Sequence, residues 1–302
     1  MDKILGQLKK LGIITLKNEE LKKHTTLRIG GPAKYFAYIQ NQHQLKEILK
    51  ILNSENQNYF VIGAGSNLLV SDKGFDGWVL KLKGDFLNIH HQNEKVYSGA
   101  AVMLNMLIKY CIDNSLSGLE ELFGIPGTVG GAIWMNAGTK NKEISQCLEY
   151  IEIVDGKNYE IIKLKKNDIN FSYRNSGLKD CVIIGASFNL FNDDKKMLEQ
   201  KINHILLERA KSQPLGNFNA GCVFKNPKNC NFTAGMLIEK CGLKGFTIGD
   251  SCVSEKHANF IINKNNATSK EFVEVMKHVM SSVKEKFNIE LEPEIKLINI
   301  KL

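Results

Sequence analysis

No Cys-x-x-Cys pair occurs in the 302 residues, and the seven cysteines, at 111, 147, 181, 222, 230, 241 and 252, are odd in number and scattered. Neither a disulfide framework nor a metal site is expected, and a reducing, cytoplasmic setting is. A signal peptide and a membrane span are missing too. The N-terminus MDKILGQLKK is amphipathic and charge-studded, and the most apolar run is broken by glycines. There is no low-complexity segment and no internal repeat. The net charge of +8 is gathered nowhere: the lysines are spread along the chain and no aromatic-basic pattern accompanies them. A nucleic-acid partner is therefore not expected, whereas a preference for anionic small molecules is. The length suggests two or three subdomains.

What the chain does have is GLEELFGIPGTVGGAIWMNAG at 118–138, rich in glycine, with Glu120 and Glu121 its only charges. A segment this apolar and glycine-dense reads as a buried turn system or as a wall against which something flat is laid. Within it, TVGG at 128–131 offers a run of amides with few side chains before them, a nest for anionic oxygens. A tightly packed core crossing without a ligand is the competing reading. A second glycine turn, GAGSN at 63–67, follows a short apolar strand at 59–62. It lacks the third glycine of a dinucleotide fingerprint, because Leu68 takes that place, and no Gly-Lys-Ser/Thr makes it a Walker loop. A backbone cradle for a diphosphate, aided by Ser66 and Asn67, and a plain β-turn both fit.

Around these turns helices and strands alternate irregularly. Apolar stripes predict helices carrying Leu45, Ile48, Leu49 and Leu52, and Leu104, Leu107, Ile108, Cys111 and Ile112. Asp155-Gly156 predicts a hairpin between 148–154 and 159–164. A long helix at 195–211, with Leu198, Ile202, Ile205 and Leu206 inward, is expected to link two domains. TSKE at 268–271 is a capping box opening another helix, and LEPEI at 291–295 reads as a strand with Glu292 and Glu294 on one face. Several strands look antiparallel, so the fold class is α+β.

Taken in order, TLRIGGPA, GAGSNLLVSD, GIPGTVGGAIWMNAG, FSYRNS, AGCVFKNP, SEKHANF and LEPEI resemble the UDP-N-acetylenolpyruvoylglucosamine reductases, from about residue 26 to 298. The compact stretch 168–190 is similar to the shorter branch of that family, without its substrate-capping tyrosine loop. The resemblance implies a vanillyl-alcohol-oxidase-type FAD-binding fold. Subdomains 1–81 and 82–200 would hold FAD, and a C-terminal α+β domain, 201–302, would hold substrate, its last strand packing back on the first subdomain. It also implies the activity of a UDP-N-acetylmuramate dehydrogenase in peptidoglycan precursor synthesis. NADPH reduces bound FAD, which passes hydride to the enolpyruvyl ether of UDP-N-acetylglucosamine enolpyruvate.

By the same resemblance Arg28, Gly63, Ala64, Gly65, Ser66, Asn67, Thr128, Gly130, Gly131, Asn136, Ala137, Gly138 and Arg174 would surround FAD. Tyr173, Lys225, Asn226 and His257 would meet the substrate. Arg174 and Glu294 would stabilise the enolate, and Cys222, standing where the family usually has serine, would deliver the proton. A guanidinium fork suits a carboxylate becoming an enediolate; a carboxyl at 294 suits it only if burial keeps it protonated. Structural roles compete for each: an ion pair for Arg174, a solvated strand position for Glu294 with Glu292 as rival, a small buried hydrophobe for Cys222. The chain is expected to act as a monomer. Two other classes stay open, a flavin oxidase of the same superfold acting on an alcohol or lactone, and a non-enzymatic nucleotide-binding protein.

Overall fold

The computed structural model describes residues 2–228 and 230–302. The chain forms two compact units. One runs up to Lys17 and takes in Tyr35–Ala64 and Gly77–Leu207; the other gathers Asn18–Lys34, Gly65–Asp76 and Glu208–Leu302. The divisions thus fall at 17/18, 34/35, 64/65, 76/77 and 207/208 rather than at 81/82 and 200/201. Burial explains this: Leu27, Ile29 and Leu69, from the two early segments, lie in the same core as Phe224, Phe272 and Val279.

The first unit carries a four-stranded sheet in the order Ile14–Glu20, Pro32–Ile39, Phe75–Leu82, Tyr59–Val61. A five-stranded antiparallel sheet follows, in the order Ile161–Lys165, Leu148–Asp155, Cys181–Asn189, Lys95–Gly99, Ile89–Gln92. Helices α1 (Asp2–Lys10), α2 (Gln42–Ser54) and α3 (Leu104–Asp113) form where the periodic apolar positions are. Their stripes, including Leu8, Leu45, Leu49, Leu107 and Ile108, are buried in one core with Trp78 and Phe188. The expected hairpin is present, its turn tied by Asp155 Oδ1, which accepts from the amides of Lys157 and Asn158.

The segment 118–138 folds differently from a bare turn system. After a 3₁₀ turn at Glu120–Leu122 it enters a short helix α4 (Val129–Trp134), capped by Thr128. Glu120, 5% exposed, accepts from Ser117 Oγ at 3.0 Å, the Gly118 amide at 2.7 Å and Lys201 Nζ at 2.6 Å. Burial pushes its carboxyl upward, but the bonds from Lys201 and Gly118 outweigh that and hold it below the usual range. Glu120→Gln should therefore cost about 1–3 kcal/mol at neutral pH. Because the folded carboxyl titrates below its unfolded value of about 4.3, the contribution is present above that pH and lost as pH falls through the folded value. Urea midpoints of wild type and variant should converge in acid; a gap independent of pH would assign Glu120 to packing alone.

The linking helix α5 (Lys195–Ser212) is present, and the 207/208 division falls inside it. Of its expected inward stripe only Leu198 is buried, Ile202 and Ile205 are partly so, and Leu206 is exposed. The helix carries charge or amide groups on nearly every turn, so only its first turns meet a core.

In the second unit a sheet in the order Phe218–Asn219, Ile261–Asn263, Ser251–Val253, Thr247–Ile248 lies with α6 (Ala234–Lys240) and α7 (Ser269–Phe287). The capping box holds: Thr268 Oγ1 accepts from the Glu271 amide, and Glu271 from that of Thr268. LEPEI is not a strand. Pro293 has no N–H to donate, so the segment makes a single bridge, Phe224 to Pro293. The strand comes just after, Lys296–Ile298, and pairs in parallel with Leu68–Val70, within the 1–81 segment. Among the described residues no helix is long and apolar enough to cross a membrane, and no group of three metal-ligating side chains occurs.

Candidate active site

The first unit holds Gly63, Ala64, Thr128, Gly130, Gly131, Asn136, Ala137, Gly138, Tyr173 and Arg174. It brings Gly63 to Thr128, for a Cβ at Gly63 would stand 2.5 Å from Thr128 Oγ1. The nest expected at 128–131 is not open to an anion. Val129 donates to the Val102 carbonyl at 2.8 Å, Gly130 to that of Ala100 at 2.9 Å, and Gly131 to Thr128 Oγ1 at 3.3 Å. Helix formation has used these amides. Gly130 is needed for packing, since its Cβ would stand 2.9 Å from that of Ala100. Gly131 is not: it is exposed, and an added Cβ would meet only Thr128 Oγ1, at 3.4 Å.

Asn136 is 0% exposed, and its side chain has no surface to offer a ligand. Instead its Nδ2 donates to Glu143 Oε2 at 2.8 Å and to the Ser172 carbonyl at 3.0 Å. That second bond steadies the turn Ser172–Asn175, closed by amide-to-carbonyl bonds in both directions. Arg174 sits in this turn at φ +56°, a left-handed conformation costing a non-glycine residue about 1–2 kcal/mol. Its Nη2 donates to the Gly138 carbonyl at 2.7 Å, and its guanidinium carbon lies 4.9 Å from the Tyr173 ring centre. Asn136, Gly138, Tyr173 and Arg174 thus form one constellation.

The second unit holds Arg28, Gly65, Ser66, Asn67, Cys222, Lys225, Asn226, His257 and Glu294. Gly65, at φ +65°, lies where a Cβ would collide with the His24 carbonyl, and its own carbonyl accepts from Thr26 at 3.2 Å. Arg28 stacks its guanidinium over Phe218 at 4.4 Å. Asn67 Nδ2 donates to the Glu294 carbonyl at 3.3 Å, and its carbonyl accepts from Lys296 at 2.9 Å. The end of the glycine turn read from sequence is therefore tied to the backbone of Glu294 and Lys296. Cys222 and Glu294 come together through the same backbone pairing. The amide of Glu294 donates to Val223 at 2.7 Å, and that of Lys225 to Glu292 at 2.8 Å. Lys225 Nζ forms an ion pair with Glu292 Oε1 at 2.5 Å. Glu292 is exposed and paired with Lys225, whereas Glu294 is half-buried.

Two residues assigned to the substrate have structural partners. Asn226 Oδ1 accepts from Ala234 at 3.0 Å, where α6 begins. His257 Nδ1 accepts from the Asn259 amide at 3.2 Å, and burial, joined by the charge of Lys244, lowers its pKa. His257 is thus a neutral acceptor. Sequence reading missed Arg209 and Asn259. Arg209 is half-buried near Cys222: burial pulls its pKa down, the thiol pulls it up, and its Nε has no acceptor among the described residues. In the sequence it is one more cation in the last turn of a helix. Asn259 is a single amide in a loop, and nothing local announces that its bonds go to Phe224, 35 residues away.

In the first unit Gly131 offers bare, exposed backbone beside the Thr128 hydroxyl, a surface that suits a flat cofactor; in the second, Gly65 bends the chain where no side chain has room. A general FAD-binding-domain model matches residues 33–165, and the model of the UDP-N-acetylenolpyruvoylglucosamine reductase C-terminal domain matches 213–298. The chain is 41% identical over 297 residues to the UDP-N-acetylenolpyruvoylglucosamine reductase of Caldicellulosiruptor saccharolyticus, covering 96% of this chain and 94% of the other. To that of Caldicellulosiruptor bescii it is 44% identical, covering 96% and 93%. The crystal structure of the UDP-N-acetylenolpyruvylglucosamine reductase (MurB) of Thermus caldophilus is similar with a TM-score of 0.81 at 33% identity, over 95% of this chain and 98% of that one. The fold is accordingly the FAD-binding fold of the vanillyl-alcohol-oxidase type with a C-terminal α+β domain. Identity of this depth along nearly the whole of both chains makes this chain a member of the UDP-N-acetylenolpyruvoylglucosamine reductase family.

Proposed function

We propose that the protein is a UDP-N-acetylmuramate dehydrogenase, reducing UDP-N-acetylglucosamine enolpyruvate to UDP-N-acetylmuramate at the expense of NADPH, in peptidoglycan precursor synthesis. The observation that carries this reading is the end-to-end likeness to reductases of that name. It favours this activity over an oxidase of the same superfold. Bound FAD supplies the relay by which a hydride from NADPH reaches the enolpyruvyl double bond. Residues of segments 1–81 and 82–200, among them Gly63 to Asn67, Thr128, Gly131 and Gly138, would hold it; 201–302 would hold the substrate. We take the enzyme to work in the cytoplasm and as a monomer.

Arg174 is held in its turn by Asn136 and Gly138. Its fork of donors stabilises the charge that grows on the substrate carboxylate as the double bond is reduced. Cys222, half-exposed, gives its thiol proton to the carbanionic carbon. Glu294, with both its amide and its carbonyl bonded, completes the enolate site. Tyr173, Lys225, Asn226 and His257 line the approach of the UDP-sugar.

Purified protein should be yellow. Anaerobic NADPH should bleach it, and UDP-N-acetylglucosamine enolpyruvate should restore the colour with formation of UDP-N-acetylmuramate. Colourless protein, or reduced protein that ignores this substrate but reoxidises rapidly in air, would overturn the reading. Gly131 gives a finer test of cofactor placement. Gly131→Val should leave the melting temperature of the apoprotein near wild type, because the added Cβ meets only Thr128 Oγ1, at ordinary contact distance, yet weaken FAD binding at least tenfold in a titration. Gly130→Val cannot serve, since the clash with Ala100 destabilises the fold directly. Undiminished FAD affinity after Gly131→Val would remove Gly131 from the cofactor site.

A further inference from the structure

We infer that Asn259 is a positioning residue for the proton donor and for Glu294, an inference that rests on the reaction proposed above. Asn259 is 3% exposed and so touches neither substrate nor cofactor. Its Nδ2 donates to the Phe224 carbonyl at 2.8 Å, its Oδ1 accepts from the Phe224 amide at 3.0 Å, and its main-chain carbonyl accepts from Val223 at 2.8 Å. Val223 and Phe224 are buried, and buried backbone groups left unpaired are costly. One side chain therefore does here what a neighbouring strand would do. The other edge of the same two residues receives the Glu294 amide at Val223 O, at 2.7 Å.

Cys222 is joined directly to this clamped pair, and Glu294 is hung from it. Moving Val223 and Phe224 moves both reacting groups. Asn259 is itself fixed, donating its amide to His257 Nδ1, while the neighbouring Phe260 amide donates to the His257 carbonyl at 2.9 Å. Of side chains this short, only the asparagine amide presents, at every working pH, a donor and an acceptor on two separate atoms. Aspartate presents two acceptors when ionised, setting a negative oxygen against the Phe224 carbonyl. Once protonated it again offers one donor and one acceptor. Burial raises a carboxyl's pKa, so lowering the pH should restore that pattern.

The test uses Asn259→Asp and Asn259→Gln holoenzymes in stopped flow. At pH 8 the Asn259→Asp variant should reduce its flavin with NADPH within about twofold of wild type, whereas reoxidation by UDP-N-acetylglucosamine enolpyruvate should fall on the order of 10²-fold, as expected for a displaced reacting group. Lowering the pH should recover reoxidation in this variant and not in wild type. The Asn259→Gln variant keeps both hydrogen-bonding groups and so folds, but its extra methylene shifts the clamped pair; its reoxidation should fall without any recovery in acid. Equal losses in both half-reactions, or reoxidation at the wild-type rate in the glutamine variant, would overturn the assignment. Failure of the wild-type enzyme to reduce this substrate would instead overturn the functional reading, so the two failures are distinct.

Discussion

Arg174→Ala should slow reoxidation of the reduced enzyme by the enolpyruvyl substrate by roughly 10²–10³, the usual loss when a preorganised donor aimed at an oxyanion is removed. Flavin reduction by NADPH should stay near wild type, because no enolate forms in that half of the cycle. The structure adds a second role to separate from the first. Arg174 Nη2 ties the turn Ser172–Asn175 to the Gly138 carbonyl, so an alanine there also loosens the glycine turn. FAD affinity of each variant therefore has to be measured beside the rates. Arg174→Lys keeps one donor for Gly138 and a positive charge but loses the fork, and should recover only part of the reoxidation rate. If stopped-flow traces show both half-reactions falling together with FAD affinity, Arg174 serves the turn and not the enolate.

Cys222→Ala should bring single turnover of pre-reduced enzyme close to a stop at protonation, while Cys222→Ser retains substantial activity. A thiol ordinarily loses its proton near 8.5, so it can donate at neutral pH as a serine hydroxyl does, and more readily. The cost is a liability that serine lacks. Wild-type turnover should fall as pH rises through the thiol's range, and the serine variant should lose that limb of the profile. Thiol oxidants should inactivate wild type and spare the serine variant. In the alanine variant, an unprotonated enolate that returns its hydride to the flavin should wash solvent isotope, exchanged on the reduced flavin, into recovered substrate. Equal product formation by wild type and Cys222→Ala at neutral pH would return Cys222 to the role of a small packing residue.

Helices and caps were legible because their determinants are local. The stripe on α3, the Thr268 capping box and the Asp155 turn each lie within a few residues of the structure they specify. What misled was partnership over distance. TVGG looked like a nest because nothing in four residues reveals that the Ala100 and Val102 carbonyls have taken two of its amides. LEPEI looked like a strand because alternation outweighed the missing donor at Pro293, and strand structure begins only at Lys296. Asn136 was placed beside the cofactor by resemblance, and nothing local in the sequence shows that its amide donates to Glu143 and Ser172. The site residues could be assembled from sequence only by resemblance; the clamp by Asn259 had no local sign at all.

The parallel pairing of Leu68–Val70 with Lys296–Ile298 also sets a schedule for biosynthesis. More than two hundred residues separate the partners, so at translation rates of about 5–20 residues per second the nascent Leu68–Val70 strand waits roughly 10–40 s for its mate. Over that interval Leu69, buried in the finished protein, is apolar surface on an unfinished chain, and the neighbouring Asn67 lacks the Glu294 and Lys296 backbone it will bind. The turn at Asn67 therefore gains these partners only after the strand Lys296–Ile298 has been made.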